Sequence, residues 1–314
     1  MYKWHKQIQM VSDEIDECIK RRDDDSLTLH SLSQKLGYSE FHVTRKFKEI
    51  SGMQFRDYLR LRRLAFALVE VRDTKRLLLE IAIDYGFSSH EAFTRAFTAT
   101  YGITPKDYRK TPKPVVLRTK IGVFDRYMLG IGEIGMVKTT KEVKIYFVTI
   151  PTHRFMHMKD YETKGYWDFW EKYDKIPGQD CDTIIGLLDS ITGKLDDEGK
   201  AVGAINGQCM AYINEPHDKR PECYGIRLPA NYDGEIPHPM QMIDIPEGEY
   251  IVFEHEPFDY EQENETVSGK VFEAAENFNF SETEYNLDKS VGRISYFHHD
   301  PERFIKIIKA VKKK

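Results

Sequence analysis

Two arginines, Arg45 and Arg95, stand fifty positions apart inside one recurring pattern, Thr44-Arg45-Lys46-Phe47 and Thr94-Arg95-Ala96-Phe97. A guanidinium holds its donors in a rigid fork that matches O6 and N7 of guanine, so an exposed arginine on a helix is suited to a base edge. His42 and Lys46 accompany the first arginine, and His90, Glu91 and Thr94 the second. All of these side chains can exchange hydrogen bonds with bases or phosphates. A basic helix face is also a common solvated surface, so the elements that carry these residues decide what they do.

The register of the repeat extends well beyond the arginines. Gly52 matches Gly102 and Asp57-Tyr58 matches Asp107-Tyr108, while Leu32, Gly37 and Tyr38 match Ile81, Gly86 and Phe87 at a spacing one residue shorter. Each copy reads as a short helix, a glycine turn and a second helix, because a tight helix-to-helix turn favours a residue with positive φ. Ser39, and Ser88 or Ser89, stand where a hydroxyl can accept from the first free backbone N–H groups, so the second helices are expected to start there. A helical period then turns Val43, Phe47 and Ile50 inward in the first copy and Phe93 and Phe97 in the second. His42, Arg45 and Lys46, and His90, Glu91, Thr94 and Arg95, are left for the outer surface near each helix start. Between the copies, Phe55 to Val71 reads as one connecting helix with Leu59, Leu64, Ala65 and Leu68 inward and Arg56, Arg60 and Arg63 on another side. A rigid connector would hold the two outer helices about 34 Å apart, one turn of duplex DNA, so a single chain could read an asymmetric site.

The stretches LSQKLGYS, FHVTRKFKEISG, RLRRLAFAL and IAIDYGFSSHEAFTRAFTATYGITPKDYR resemble the AraC/XylS family over most of Leu29 to Arg109. That resemblance implies a DNA-binding domain built of paired helix-turn-helix units. It also implies contacting roles for Phe41, His42, Thr44 and Arg45 in the first unit and His90, Glu91, Thr94 and Arg95 in the second. Phe41 and Glu91 depart from the hydrogen-bond donors often found at those places.

The chain has 314 residues, enough for two ordinary domains. Its 46 basic and 51 acidic residues give a net charge of −5. Dividing it after Lys110 leaves 20 basic against 16 acidic residues in the first part and 26 against 35 in the second. Between Lys35 and Arg63 there are 8 basic and 3 acidic residues, a patch able to attract phosphates by counterion release. Cys18, Cys181, Cys209 and Cys223 have no C-x-x-C spacing and read as reduced thiols. The N-terminus lacks the apolar core of a signal peptide, and no apolar run approaches the roughly 20 residues of a membrane span. A cytoplasmic location without membrane partners is expected.

Lys110-Thr111-Pro112-Lys113-Pro114 cannot continue a helix and reads as a linker. The expected domains are 1–111, all-α with two helix-turn-helix units, a linker and interdomain segment over 112–143, and an α+β domain over 144–314. Short β-rich runs follow at Lys144 to Ile150, Arg154 to Met158, Thr183 to Leu188, Gln208 to Ile213, Cys223 to Leu228, Met240 to Ile245 and Tyr250 to His255, with helices expected over Trp167 to Tyr173 and Thr266 to Phe278. A weaker repeat relates Thr149-Ile150-Pro151 and Phe155-Met156 to Asp244-Ile245-Pro246 and Tyr250-Ile251, 95 positions later. Such a duplication would give a pseudo-twofold pair of sheets with a ligand cleft on the axis. Trp167, Trp170, Tyr212, Tyr224, Tyr250, Phe253 and Tyr296, with Glu254, form the expected ligand set, because aromatic faces with a carboxylate suit a flat or cationic amphipathic molecule. The alternative is that these aromatics are core.

HRFMHMKDYETKGYWDFWEKY, ECYGIRLP, IPEGEYIVFEHEPFDYEQENETVSGKVFEAAENF and GRISYFHHDPERF resemble the GyrI-like effector-binding domain over about Lys144 to Val311. The resemblance implies a duplicated βαββ fold and a small-molecule effector. Many relatives place a glutamate on the last strand to meet cationic drugs, whereas Gly292-Arg293-Ile294-Ser295-Tyr296 carries none. Val115 to Lys144 fits neither resemblance; VFDRYMLGIGEIGM has G-x-G-like spacings without the strand and cap of a phosphate loop, and reads as an interdomain strand and turn.

Signals for catalysis are few. His153 and His157 share a four-residue spacing without an acidic third ligand nearby, and His298-His299-Asp300 reads as a polar strand end before Pro301. There is no G-x-S-x-G and no P-loop. No cofactor, metal or catalytic residue is expected. The combined expectation is a transcriptional regulator with promoter DNA, a small amphipathic or aromatic effector and RNA polymerase as partners. Two rivals stand beside it: an activator whose second domain makes only protein contacts, and a sensor that also hydrolyses its ligand, as some isolated GyrI-like domains do with a Glu and a Tyr.

Overall fold

The computed structural model describes residues 2–23, 26–121, 141–195 and 207–314, which fall in two compact units, one holding 2–121 and the other the rest. The first is all-helical: α1 (Tyr2–Arg21), α2 (Leu29–Leu36), α3 (Glu40–Ser51), α4 (Phe55–Asp73), α5 (Leu78–Asp84), α6 (His90–Tyr101) and α7 (Pro105–Lys110). The repeat is visible as two helix-turn-helix units, α2–α3 and α5–α6. Gly37 and Gly86 occupy their turns at φ 71° and 73°, where a Cβ would be strained. Ser39 caps α3 by accepting from His42 N–H at 3.3 Å, and Ser89 caps α6 by accepting from Ala92 N–H at 3.1 Å.

Val43 and Phe47 on α3, and Phe93 and Phe97 on α6, are fully buried. Burying each phenylalanine contributes roughly 1.5–3 kcal/mol. The connector α4 buries more than one stripe: Tyr58, Leu64, Ala65, Ala67, Leu68 and Val71 have no exposed surface, whereas Leu59 is only half-buried. Against it lies α1, whose Ile8, Val11, Ile15 and Ile19 recur at helical spacing and enter the same core. Arg62 on α4 is also completely buried, its guanidinium held bidentate by Asp16 of α1 and donating to the carbonyl of Arg118.

Residues 112–121, expected to be linker, carry Val115, Leu117 and Ile121 into this helical core, and Ile121 N–H donates to the Tyr58 hydroxyl at 3.3 Å. The two prolines end α7 as anticipated, but the apolar residues that follow have a surface to cover. The strand and turn expected within Val115 to Lys144 lies mostly at 122–140, outside the described residues.

The second unit holds one antiparallel sheet of nine strands among the described residues: β1 (Lys144–Ile150), β2 (His153–Asp160), β3 (Gln208–Ile213), β4 (Glu222–Pro229), β5 (Gln241–Ile245), β6 (Gly248–His255), β7 (Tyr285–Leu287), β8 (Ile294–Asp300) and β9 (Phe304–Lys313). Their order is β1-β6-β9-β8-β3-β4-β2-β5, with the short β7 on β9. Three helices, α8 (Tyr166–Tyr173), α9 (Cys181–Asp189) and α10 (Tyr260–Glu276), complete it. The 95-residue repeat is written into the register. Shifting each partner by 95 turns the pair His153↔Ile245 into Ile150↔Gly248 and His157↔Gln241 into Tyr146↔Val252, all of them observed. Thus β2-(α8, α9)-β3-β4 and β6-α10-β8-β9 are two βαββ copies related by a pseudo-twofold axis through the β3–β8 pair.

One expected strand is corrected. Thr183 to Leu188 lies inside α9, because Asp180 accepts from Thr183 N–H at 3.0 Å and from its hydroxyl at 2.7 Å, starting a helix that an apolar run of that length does not by itself exclude. No helix among the described residues is long and apolar enough to cross a membrane.

Candidate nucleic-acid interface and ligand face

The outer surfaces of α3 and α6 are alike in plan and different in detail. At the sixth position of each helix, Arg45 and Arg95 are exposed, and neither forms an ion pair among the described residues. One turn before them stand Phe41, 77% exposed, and Glu91. Phe41 and Arg45 therefore share one face at i, i+4 spacing, as do Glu91 and Arg95. Glu91 is not a bare acid: its own backbone N–H and the Ser89 hydroxyl hold its carboxyl below the usual range, so it leans on the positive end of α6.

The remaining expected contacts are engaged elsewhere to different degrees. His42 packs between Trp4 of α1 at 4.9 Å and Tyr38 at 5.5 Å, part of an aromatic trio that also ties α1 to the turn. Thr44 donates to the Glu40 carbonyl at 2.8 Å, and Lys46 pairs with Glu49 at 3.0 Å. On α6, His90 is half-buried and the Thr94 hydroxyl is occluded, without a hydrogen-bond partner among the described residues. The basic patch is likewise smaller than its composition. Lys35 pairs with Glu14, Lys46 with Glu49, Arg60 with Asp57 and Arg62 with Asp16, so half of the eight cations between Lys35 and Arg63 answer carboxylates of this chain.

Two features escaped the sequence reading. Trp4 orients His42 through α1, an element whose signal was present in the spacing of Trp4, Ile8, Val11 and Ile15. Arg62, adjacent to the arginines assigned to an outer side of α4, faces inward because Asp16, 46 positions upstream, waits for it. Nothing local in the sequence marks that pairing.

The expected ligand residues of the sheet unit do not gather in one place. Strand alternation puts Tyr250 and Glu254 on one face of β6 and Phe253 on the other, in the core beneath α10. Trp170 and Tyr224 are buried between α8, α9 and the sheet, where the Tyr224 hydroxyl donates to Gln208 at 2.9 Å. Tyr212 carries the Arg220 guanidinium 5.1 Å from its ring, and Trp167 is 49% exposed on α8. Glu254 accepts from the Tyr146 hydroxyl at 2.7 Å and pairs with Lys306 at 3.3 Å. Two pairs meet: Trp170 and Tyr224, 4.8 Å apart beneath the helices, and Tyr250 and Tyr296, 6.4 Å apart on the sheet face opposite α8, α9 and α10. There the Tyr296 hydroxyl lies 2.5 Å from His153 Nε2, and the Arg227 guanidinium sits 5.0 Å from the Tyr296 ring. His153 and Arg227 were not in the expected set; both sit on the face that β2 and β4 share with Phe155 and Cys223. A separate groove of about 620 Å³ runs between the start of β1 and the end of α10, past Val143, Ile145, Lys270 and Phe278, and none of the expected ligand residues lines it.

Two capped helix-turn-helix units on one connector, each with an exposed arginine at the same place, define a DNA-binding regulator. A family description of a helix-turn-helix domain matches residues 32–111. The chain is 38% identical over 106 residues to the regulatory protein SoxS of Salmonella typhimurium, covering 33% of this chain and 95% of that protein. It is 34% identical over 137 residues to the right origin-binding protein of Escherichia coli K12, which covers 44% of this chain but only 40% of that relative's length. A solved C-terminal domain of the response regulator yesN from Fusobacterium nucleatum shares 33% identity, covering 32% of this chain and 94% of that one, with a TM-score of 0.29. The chain belongs to the AraC family of DNA-binding transcriptional regulators.

Proposed function

We propose that α3 and α6 enter the major groove side by side and read one asymmetric promoter site, with Arg45 and Arg95 directed at guanines. The observation that carries this reading is the equivalence of the two arginines: same repeat position, both exposed, no ion pair to break among the described residues. Phe41 and Glu91 give the two halves different preferences, since an apolar ring suits a thymine methyl and a carboxylate accepts from cytosine N4. His42 and Lys46 act mainly as supports for α3. Replacing a contacted guanine by 7-deazaguanine removes the N7 acceptor. The wild-type chain should then lose affinity for that duplex, while the Arg→Ala variant facing the altered base should be indifferent to the change. Equal losses in all variants would contradict the assignment.

The sheet unit, in this proposal, is a GyrI-like effector-binding domain whose sheet face opposite α8, α9 and α10 takes a small planar molecule beside Tyr250 and Tyr296. The duplicated βαββ register supports the domain assignment, and the polar cluster of His153, Arg227 and the two tyrosines within an otherwise apolar face supports the site. With Arg227 as its near charge, that cluster favours a neutral or anionic ligand over a cation. Effector binding would change the regulator's action on RNA polymerase through different affinities for two states of the protein. A thermal-shift series of planar acids, neutral aromatics and amphipathic cations tests this, since a binder raises the melting point by mass action. Stabilisation by cations alone, undiminished in Arg227→Gln, would sink it.

A further inference from the structure

The two helix-turn-helix units are joined by a closed ring of four charges. Arg22, just beyond α1, reaches Glu70 of α4 and Asp84 at the end of α5, each at 2.8 Å. Arg76, in the connection between α4 and α5, reaches the same two carboxylates at 2.5 Å each. The signs alternate around the ring, and the Tyr85 hydroxyl adds a hydrogen bond to Glu70 at 3.0 Å. Its members come from four places: α1, which packs on α3 and α4 of the first unit; α4 itself; the connection; and α5, which packs on α6 of the second.

The backbone at Arg22 sharpens this. Its φ is +57°, the left-handed region, and the turn closes α1 through Arg22 N–H to Ile19 and Asp23 N–H to Cys18. Glycine is the residue that takes such a C-terminal position without strain. An arginine there carries a conformational cost that glycine would avoid, and its guanidinium supplies two of the four sides of the ring. Isolated surface pairs add little, but a cyclic network fixes several segments at once. The carboxylates also hold the Arg76 guanidinium above its ordinary pKa, Asp84 most strongly.

We infer that Arg22, Glu70, Arg76 and Asp84 are positioning residues: the ring sets the distance and angle between α3 and α6, so that two half-sites are read only at one spacing. This rests on the proposed bipartite reading. The test uses the full-length chain and a duplex selected by it from random DNA, compared with the same duplex carrying one inserted base pair between the halves and with a duplex retaining a single half. One inserted pair turns one half relative to the other by about 34° and moves it about 3.4 Å, so a rigid reader should lose on the order of 30-fold or more in affinity. Arg22→Gly relieves the backbone and opens the ring. The variant should keep its helical circular dichroism, bind the single half within about twofold of wild type, bind the intact site about tenfold more weakly, and pay less than about fivefold for the insertion. Asp84→Asn, which keeps the side-chain size and removes one charge, should behave the same way, and it decides the matter if Arg22→Gly fails to fold. An insertion penalty as large as that of wild type in the folded variants overturns the inference. If wild type itself tolerates the insertion, the bipartite reading falls and the ring has nothing to position.

Discussion

In the helical unit, a repeat of fifty positions yields α3 and α6, each with its own cap, its own glycine turn and its own exposed arginine. The copies keep separate outer helices while sharing one core with α1 and α4, and the charge ring adds a link between them. In the sheet unit, a repeat of 95 positions yields strands that pair with one another, β1 with β6, β2 with β5 and β3 with β8, so that neither copy has a complete sheet alone. Duplication in the first unit multiplies an exposed, arginine-bearing helix surface. In the second it builds one continuous face on which His153 and Tyr296, from different copies, meet. Substitutions in the first unit should therefore be separable by copy, and those in the second should not.

The largest separation is expected from Arg62→Ala. Removing a fully buried guanidinium leaves Asp16 buried without its partner, a loss of about 3–5 kcal/mol. Calorimetry should show the helical transition moving to lower temperature while that of the sheet unit stays in place. A shift of both would mean that the units unfold together. Gly225→Ala is the counterpart in the sheet: an added Cβ would lie 2.0 Å from the Met156 carbonyl oxygen, so β2 and β4 must part, and DNA affinity without ligand should remain. Tyr296→Phe is gentler. It leaves the buried His153 Nε2 without the Tyr296 hydroxyl and should cost about 1–3 kcal/mol in the sheet transition alone.

The two units should also respond differently to pH. Burial lowers His157 and His299 to about 4, below the ordinary histidine value, so the folded sheet unit binds fewer protons than the unfolded chain between about pH 6.5 and 4. Its stability is then full above about 6.5 and lost as pH falls toward 4, and the helical unit lacks buried histidines of this kind among the described residues. Melting curves at pH 7.5 and 5 should show the sheet transition falling more than the helical one. The reverse order would refute the assignment. The smallest effect is expected from Phe41→Ala: exposed as it is, its loss should leave stability unchanged and alter preference at one base by about 1 kcal/mol, read by competition between duplexes.

Much of the helical unit was legible because its signals are local. Serine caps, turn glycines and the spacing of Val43-Phe47 and Phe93-Phe97 each act within a few residues, and a repeat states them twice. Arg62 was not legible, since its partner lies 46 positions away, and neither was the ring around Arg22. In the sheet unit, only the end of β8 at His298-His299-Asp300 was legible as strand, because its buried positions are Ile294, Tyr296, His298 and Asp300, which hide the alternation under polar residue types. Thr183 to Leu188 was ambiguous on composition, and the cap at Asp180 decided it. The ligand set was drawn from aromatic density, which strand alternation then divided between opposite faces, leaving Tyr250 with Tyr296 on one and Trp170 with Tyr224 on the other.

Whether one chain reads DNA with two distinct arginine-bearing helices is decided by selecting bound sites from random DNA with wild type, Arg45→Ala and Arg95→Ala. The wild-type site should contain two blocks about one helical turn apart, and each variant should relax a different block at a cost of about 1–3 kcal/mol. Relaxation of the same block by both variants, or a uniform loss across all sequences, would contradict such a reading.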